Sequence, residues 1–276
     1  MSLETLLPLL SLPALLLAWL ALLGRARGQS WTLPLIMLAV FLLACGLGLR
    51  WLRLGHGPFF NLYEILASNL FSLSLIYALF YWRLPQLRAS SGVVLPVLLL
   101  LGGWLWYSTP VDSHFHPTYD TAWLWVHLAA GKLFLGTMLC ALGVALLSPL
   151  QRVFPAAFTH TVDDEHTFKP DMKQGAFVLD RQAWNLLRWA LVFETGMLAA
   201  GSIWAQDAWG RYWAWDPLET WAFLTWLALV AALHVRHSYR ITPGMTAGMV
   251  AGVFVLAFLT FFGVPFISLA PHKGAI

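Results

Sequence analysis

Eight runs of about twenty apolar residues account for most of this 276-residue chain, near 4–23, 33–52, 63–82, 92–108, 121–147, 184–206, 219–235 and 245–268. About 20 such residues carry a helix across the hydrocarbon core of a bilayer. A bilayer accepts only helices or closed barrels, because every backbone polar group must find its partner inside the protein. The pattern predicts an all-α polytopic membrane protein, a single integral membrane domain over 1–276. Composition agrees: 59% of residues are hydrophobic and 11% charged, where a soluble domain carries about 25% charged residues. The same figures exclude a disordered chain, a nucleic-acid-binding domain and a disulfide scaffold. Cys45 and Cys140 lie in separate apolar runs and form no C-x-x-C pair, so no dithiol redox centre is expected.

Lysine and arginine collect on the cytoplasmic side of membrane proteins. With the N-terminus outside, eleven of the sixteen basic residues fall on inner loops and helix ends, from Arg25 and Arg27 to Arg236 and Arg240. Four fall outside (Arg50, Arg53, Arg211 and Lys273), and Lys132 is left within the fifth span. The balance predicts N-out and C-out, with Arg50 and Arg53 snorkelling at the outer end of the second span. The first run begins with acidic Glu4 and carries Arg25 and Arg27 after its apolar stretch, the reverse of a cleaved signal peptide. The longest polar stretch, 148–183, reads as a solvated cytoplasmic loop. No inverted repeat of the transporter kind is visible.

Sixteen tryptophans are present, and six of them lie between 204 and 226. An interfacial aromatic belt explains one or two per helix end. It does not explain six within one segment interrupted by Gly210 and Arg211. Such a patch suits a large, flat, apolar ligand: aromatic planes stack on it, and Gly210 allows close backbone approach. Asp216-Pro217-Leu218-Glu219 has Asp at N-cap, Pro at the first helical position and Glu at N3. The seventh helix is therefore expected to start at Pro217, with Asp216 and Glu219 acting first as caps. Asn61 and Glu64 repeat the arrangement at the third helix. Arg211 suits either an acidic ligand group such as a propionate or interfacial snorkelling.

Of nine histidines, three are placed tellingly. His127 lies about two turns inside the fifth span, ~9 Å deep, where an ionisable group is costly and is a functional candidate by default. His272 follows the eighth span on the same side as the tryptophans. His234 ends the seventh helix, ~22 Å along its axis from Glu219, with no evident partner in the chain. Singly, each suits a hydrogen-bonded bundle position. The pair beside an aromatic surface suggests axial ligands of haem iron.

The segment from Trp209 through Trp213-Ala214-Trp215-Asp216-Pro217 resembles the "WWD" signature of haem-handling proteins in c-type cytochrome maturation. Its continuation, Leu218-Glu219-Thr220-Trp221, is similar to the CcsA (ResC-like) branch, whose pattern runs W-G-x-Y-W-x-W-D-P-K-E-T-W. The likeness covers most of the chain beyond about residue 58, including Asn61 to Glu64, Trp123 to Leu128 and Leu233 to Arg236. It implies a subunit of the System II cytochrome c synthase that works with a CcsB (ResB-like) membrane partner. The pair would hold haem b (iron protoporphyrin IX) at the outer face and promote its attachment to apocytochrome c. The haem-binding segment would be 204–221, between the sixth and seventh helices. Its contacts would be Trp209, Gly210, Arg211 and Trp213, then Trp215, Asp216 and Trp221. His127 and His272 would ligate the outer haem, and His234 an inner one whose opposite ligand comes from the partner. Leu218 departs from the pattern's lysine, and any propionate contact that lysine makes is absent here.

The implied chemistry is thioether formation between haem vinyl groups and the thiols of a C-x-x-C-H motif. Most of the effect would be positioning, and no general acid, base or covalent catalyst is nominated. Thiol reduction would fall to a separate thioredoxin-like protein. A bacterial inner membrane or a thylakoid membrane suits the orientation. Three rivals remain at this stage. A CcmC-like chaperone would pass haem to a CcmE-like carrier. A secondary transporter would bind no haem. A respiratory cytochrome b would show histidine pairs on transmembrane helices, a pattern that post-helical His272 disfavours.

Overall fold

A computed structural model describes residues 2–22, 30–115, 117–153 and 172–264. Among them are eight helices long and apolar enough to cross a membrane, as the hydropathy runs predict. In chain order they are α1 (Leu3–Ala21), α2 (Thr32–Leu54), α3 (Leu62–Arg83), α4 (Ser91–Tyr107), α5 (Ala122–Val153), α6 (Met172–Trp209), α7 (Pro217–Ser238) and α8 (Pro243–Phe258). A 3₁₀ turn, Pro85–Ser90, leads into α4, and a π-helical turn, Leu259–Gly263, follows α8. The antiparallel order gathers the ends of α2, α4 and α6 with the starts of α3, α5 and α7 at one end of the bundle. That end is called the site end below.

Two expected boundaries move. The connection read as 148–183 is shorter, because α5 runs to Val153 and α6 begins at Met172. A helix satisfies its backbone internally and needs no lipid to continue, so apolarity marks the span and not the helix. Asp180, assigned to that solvated loop, is instead buried within α6. It pairs with Arg236 of α7 at 2.8 Å and accepts a 2.7 Å hydrogen bond from Thr246 of α8. The tryptophan-rich segment 204–221 is likewise not all connection. Trp204 to Trp209 are the last residues of α6, Pro217 to Trp221 open α7, and only 210–216 lie between.

The seventh helix starts at Pro217, as its cap residues predict. Asp216 accepts from the Glu219 N–H at 2.9 Å, and Glu219 reaches back to the Ala214 N–H at 2.7 Å. At the third helix Asn61 accepts from the Glu64 N–H at 2.9 Å, and the Glu64 carboxylate takes the Phe60 N–H at 3.0 Å.

Arg50 does not snorkel. It is 1% exposed, and its guanidinium meets Glu64, itself 0% exposed, at 3.0 and 2.9 Å. The Glu64 carboxylate also accepts from Asn61 Nδ2 at 3.0 Å and Ser113 Oγ at 2.7 Å, while Arg50 and Asn61 both donate to the Val111 carbonyl. Arg53 is half-exposed, yet it too is held, by Glu4 at 2.8 Å and by both oxygens of Asp112. The acids that hold these arginines lie 14 to 62 residues away in sequence, too far for spacing to reveal. The Arg53 hydrogen bond keeps the Asp112 carboxyl below its ordinary range. The network straps residues 111–113 onto α2 and α3 at the site end.

The span windows differ in how deeply they sit. The one in α5 is 78% buried and the one in α7 22%. α5 is thus the axis of the bundle, packed most extensively on α6, whereas most of α7 looks outward.

Candidate functional site

A cavity of about 270 Å³ lies at the site end between α3, α5, α6 and α7, lined in part by the π-helical turn. Its walls are largely apolar, with aromatic groups from four separate stretches: Phe59 and Phe60 before α3, Tyr119 before α5, Trp204 and Trp209 on α6, and Trp213. The π-helical turn adds Thr260 and Phe261. Such turns insert one extra residue per turn and re-aim side chains, often at functional sites.

His127 stands in the wall of this cavity. Its Nδ1 lies 2.9 Å from the carbonyl oxygen of Met197 on α6. A carbonyl can only accept, so Nδ1 carries a proton, and in the neutral ring Nε2 is the nitrogen with the lone pair. An imidazole that donates its other N–H to a backbone carbonyl is oriented as metal-ligating histidines usually are. The ring also lies nearly parallel to Trp204, 6.0 Å away and tilted by 18°.

Gly201 makes that placement possible. A Cβ there would fall 2.7 Å from His127 Nδ1 and 3.0 Å from its Cε1, and real Cβ atoms do not approach so closely. The histidine is therefore held from two sides, by a carbonyl and by a missing side chain.

Around it, Trp204 and Trp209 meet edge to face at 4.8 Å, and Tyr119 contacts both, at 5.2 and 6.1 Å. Burial pushes the Tyr119 phenol up, against a hydrogen bond with Trp209 that lowers it. A second set, Trp213, Trp215 and Phe223, packs at the start of α7 with centroid separations of 5.7 to 6.4 Å. The tryptophan segment thus forms two clusters, one around Trp204 and Trp209 and one around Trp213 and Trp215.

Of the expected ligand contacts, Trp209 and Trp213 line the cavity and His127 joins them. Arg211 and Trp215 are exposed outside it, while Asp216 is engaged as the α7 cap. Trp221 is half-buried and away from the walls. Gly210 ends α6 in the left-handed region, φ +71°, with nothing within 4 Å of where a Cβ would be. Its evident task in the chain is to reverse direction at the helix end. Trp215 is also left-handed, φ 56°, a conformation costing a non-glycine residue on the order of 1–2 kcal/mol. Conformational strain of this kind concentrates at functional segments.

His234 is exposed near the last turn of α7, at the opposite end of the bundle, with Nε2 3.5 Å from Ser238 Oγ. The structure does not bring it to the cavity. His272 lies outside the described residues. Sequence reasoning passed over Tyr119, Met197 and Gly201, which only the helix packing brings to His127. It also set Lys132 aside, although an ammonium within a span was itself a signal.

The chain is similar to known proteins. The model of the family described as cytochrome C assembly protein matches residues 59–272, a stretch that contains every residue of the cavity wall. The chain belongs to that family. Membership places it in cytochrome c biogenesis and implies haem handling. Relatives include the cytochrome c biogenesis protein CcsA of Guillardia theta, 29% identical over 250 residues and covering 86% of this chain and 83% of that one. The protein of the same name from Arabidopsis thaliana is 26% identical over 262 residues, covering 81% and 80%. Among solved structures, the cytochrome c haem lyase CcmF superposes over 95% of this chain with a TM-score of 0.65 and 19% identity. The chain spans 45% of that protein's length, and at such identity the likeness bears on the fold.

Gly201 offers a direct test of how His127 is held in the cavity wall. Gly201→Ala is expected to cut holocytochrome c accumulation tenfold or more with the protein still inserted, because the imidazole must leave the Met197 carbonyl. Gly196→Ala on the same helix, where a Cβ would meet nothing within 4 Å, should leave the yield unchanged. Haem-stained gels of membranes expressing each variant compare the two.

Proposed function

We propose that this chain is the CcsA-like half of a System II cytochrome c synthase, holding haem as cargo in the cavity beside His127. The observation that carries the reading is the imidazole itself. Its tautomer is set by Met197, its basic nitrogen is Nε2, and it stands in an aromatic wall next to the tryptophan motif. Neutral imidazole on an apolar, aromatic surface is what haem iron and a porphyrin face require.

The residues fit such a cargo. Trp204, Trp209 and Trp213 offer faces and edges for stacking. The cavity of about 270 Å³ falls just below the roughly 300–1,000 Å³ usual for small-molecule sites. Part of the macrocycle would therefore stay outside, beside Tyr212, which lines the cavity and is exposed. His272 is the second axial ligand in this reading. His234, exposed on the least covered span, belongs to an inner site completed by a CcsB-like partner, which would also cover that face of α7.

Attachment to apocytochrome c adds each cysteine thiol across a vinyl double bond, sulfur to one carbon and hydrogen to the other, so the sum of atoms and electrons closes without an external oxidant. The chain's own contribution is to orient the cargo, exclude water and keep the iron ligated until the acceptor histidine displaces one imidazole. The thiols arrive reduced by a thioredoxin-like protein. With N-out and C-out, the site end faces the periplasm of a bacterial inner membrane or the lumen of a thylakoid.

Purification with its CcsB-like partner in mild detergent provides the test. The complex is expected to carry a Soret band of low-spin, bis-histidine character. Protein recovered folded but colourless, even after haem is supplied, would overturn the proposal and favour a transporter.

A further inference from the structure

We infer that Lys132 is the anchor for a carboxylate of the cargo and so decides which edge of the porphyrin enters the cavity first. The inference rests on the haem-holding reading above.

Lys132 lies ten residues into α5, which starts at Ala122, so it stands ~15 Å from that helix start. Its side chain forms part of the cavity wall. Nζ makes a 3.1 Å hydrogen bond to Ser68 Oγ and sits 5.6 Å from the centroid of the Phe59 ring. An ammonium has three N–H donors, and Ser68 occupies one of them. Among the described residues no carboxylate pairs with it: the ion pairs found there involve Arg50, Arg53 and Arg236 only. A cation at this depth costs several kcal/mol unless an anion or a set of acceptors compensates it. Asn69, the neighbouring polar group of the wall, spends its Nδ2 on the Ile65 carbonyl at 2.9 Å. Lys132 is thus the ammonium of this wall, with N–H donors beyond the one given to Ser68; Trp213 Nε1, buried without a partner among the described residues, is a neutral donor in the same wall.

The geometry agrees with a porphyrin. His127 and Lys132 are five residues apart on one helix, ~7.5 Å along its axis, with His127 nearer the site end. Both reach the same cavity. Iron protoporphyrin IX carries its two propionates on one edge and its two vinyls on the opposite edge. A ligand whose iron is at His127 and whose carboxylate is at Lys132 therefore enters propionate-first. Its vinyl edge is left at the mouth, beside exposed Arg211 and Tyr212, where an acceptor's thiols can reach it. The opposite entry would bury the reacting carbons and leave the ammonium unpaired.

The test compares iron protoporphyrin IX with its dimethyl ester, which keeps the macrocycle and vinyls but carries no carboxylate. Soret titrations would use the full chain with its partner, as wild type, Lys132→Met and Lys132→Arg. Wild type is expected to bind the diacid at least tenfold more tightly than the ester. Lys132→Met should bring the two within about twofold by losing the diacid, with ester affinity kept as proof of an intact fold. Lys132→Arg should retain part of the preference. A tenfold preference that survives in Lys132→Met would overturn the role of Lys132 while leaving the haem site standing. Equal binding of diacid and ester by wild type would do the same. Failure of wild type to bind either porphyrin would overturn the haem reading, and this inference with it.

Discussion

His127→Ala is expected to reduce holocytochrome c to background, a loss of a hundredfold or more, while leaving the chain inserted and folded. The side chain is partly buried in a cavity wall, and alanine is well tolerated in a helix. The helix contacts of α5 and α6 persist without the ring. What disappears is the oriented Nε2. External imidazole, entering the vacated space, should restore part of the yield, because the site needs a nitrogen donor rather than the covalent link to α5. His127→Ala should also remove the low-spin signature of the purified complex. His272→Ala is expected to behave alike. Normal yields from both single variants without added imidazole would refute the assignment of these two residues. Lys132→Met supplies a contrast: it changes which porphyrin is preferred and keeps the iron's ligation.

Glu64→Gln is expected to be the most damaging substitution for the fold itself. Glu64 is fully buried and accepts hydrogen bonds from Arg50, Phe60, Asn61 and Ser113. The amide would keep some of these, but it would take from the 1% exposed Arg50 guanidinium its closest carboxylate, at 2.9 Å, and leave Glu4 and Asp112 at 3.9 Å. Removing one partner of a buried pair costs about 3–5 kcal/mol, whereas replacing both by apolar groups of similar volume is often nearly neutral. Arg50→Met should therefore be as harmful as Glu64→Gln, and the double variant Arg50→Met/Glu64→Leu should recover much of the loss. Non-additivity of that kind marks directly coupled residues. Thermal denaturation in detergent and the amount of inserted protein report it. Additive single and double effects would show that the two residues act separately. Since Glu64 also holds the N–H of Phe60, a residue of the cavity wall, the single variants should also lose haem more readily at temperatures where they remain folded.

These two expectations draw on different kinds of information. The eight spans were legible in the chain as runs of about twenty apolar residues, and the start of α7 at Pro217 and the capping roles of Asn61, Asp216 and Glu219 because each follows from neighbours within four residues. His127 was legible as well, since a histidine two turns into an apolar run is conspicuous wherever the helix packs. Arg50 was misjudged for the opposite reason. An arginine near a span end is ordinarily at the interface, and only the fold brings Glu64 of the next helix against it. The boundaries of α5 and α6 were misjudged because hydropathy reports the solvent, not the hydrogen bonding that sustains a helix. Trp215 and Trp221 looked equivalent to Trp209 and Trp213 on composition. Only the packing sets Trp209 and Trp213 in the cavity wall and leaves Trp215 exposed and Trp221 away from it.

Local order was thus written into the chain by itself: which stretches enter lipid, where helices begin, and which residue types are costly enough there to need a reason. The cavity was not. It exists because α5 and α6 pack closely enough at Gly201 for an imidazole on one to reach a carbonyl on the other, and because α3 sets Ser68 against Lys132. Contacts between residues 64 and 70 positions apart carry no periodicity, so no pattern along the chain announces them. They become definite only when the helices, driven together by packing and by the cost of stranded polar groups in lipid, settle into one arrangement.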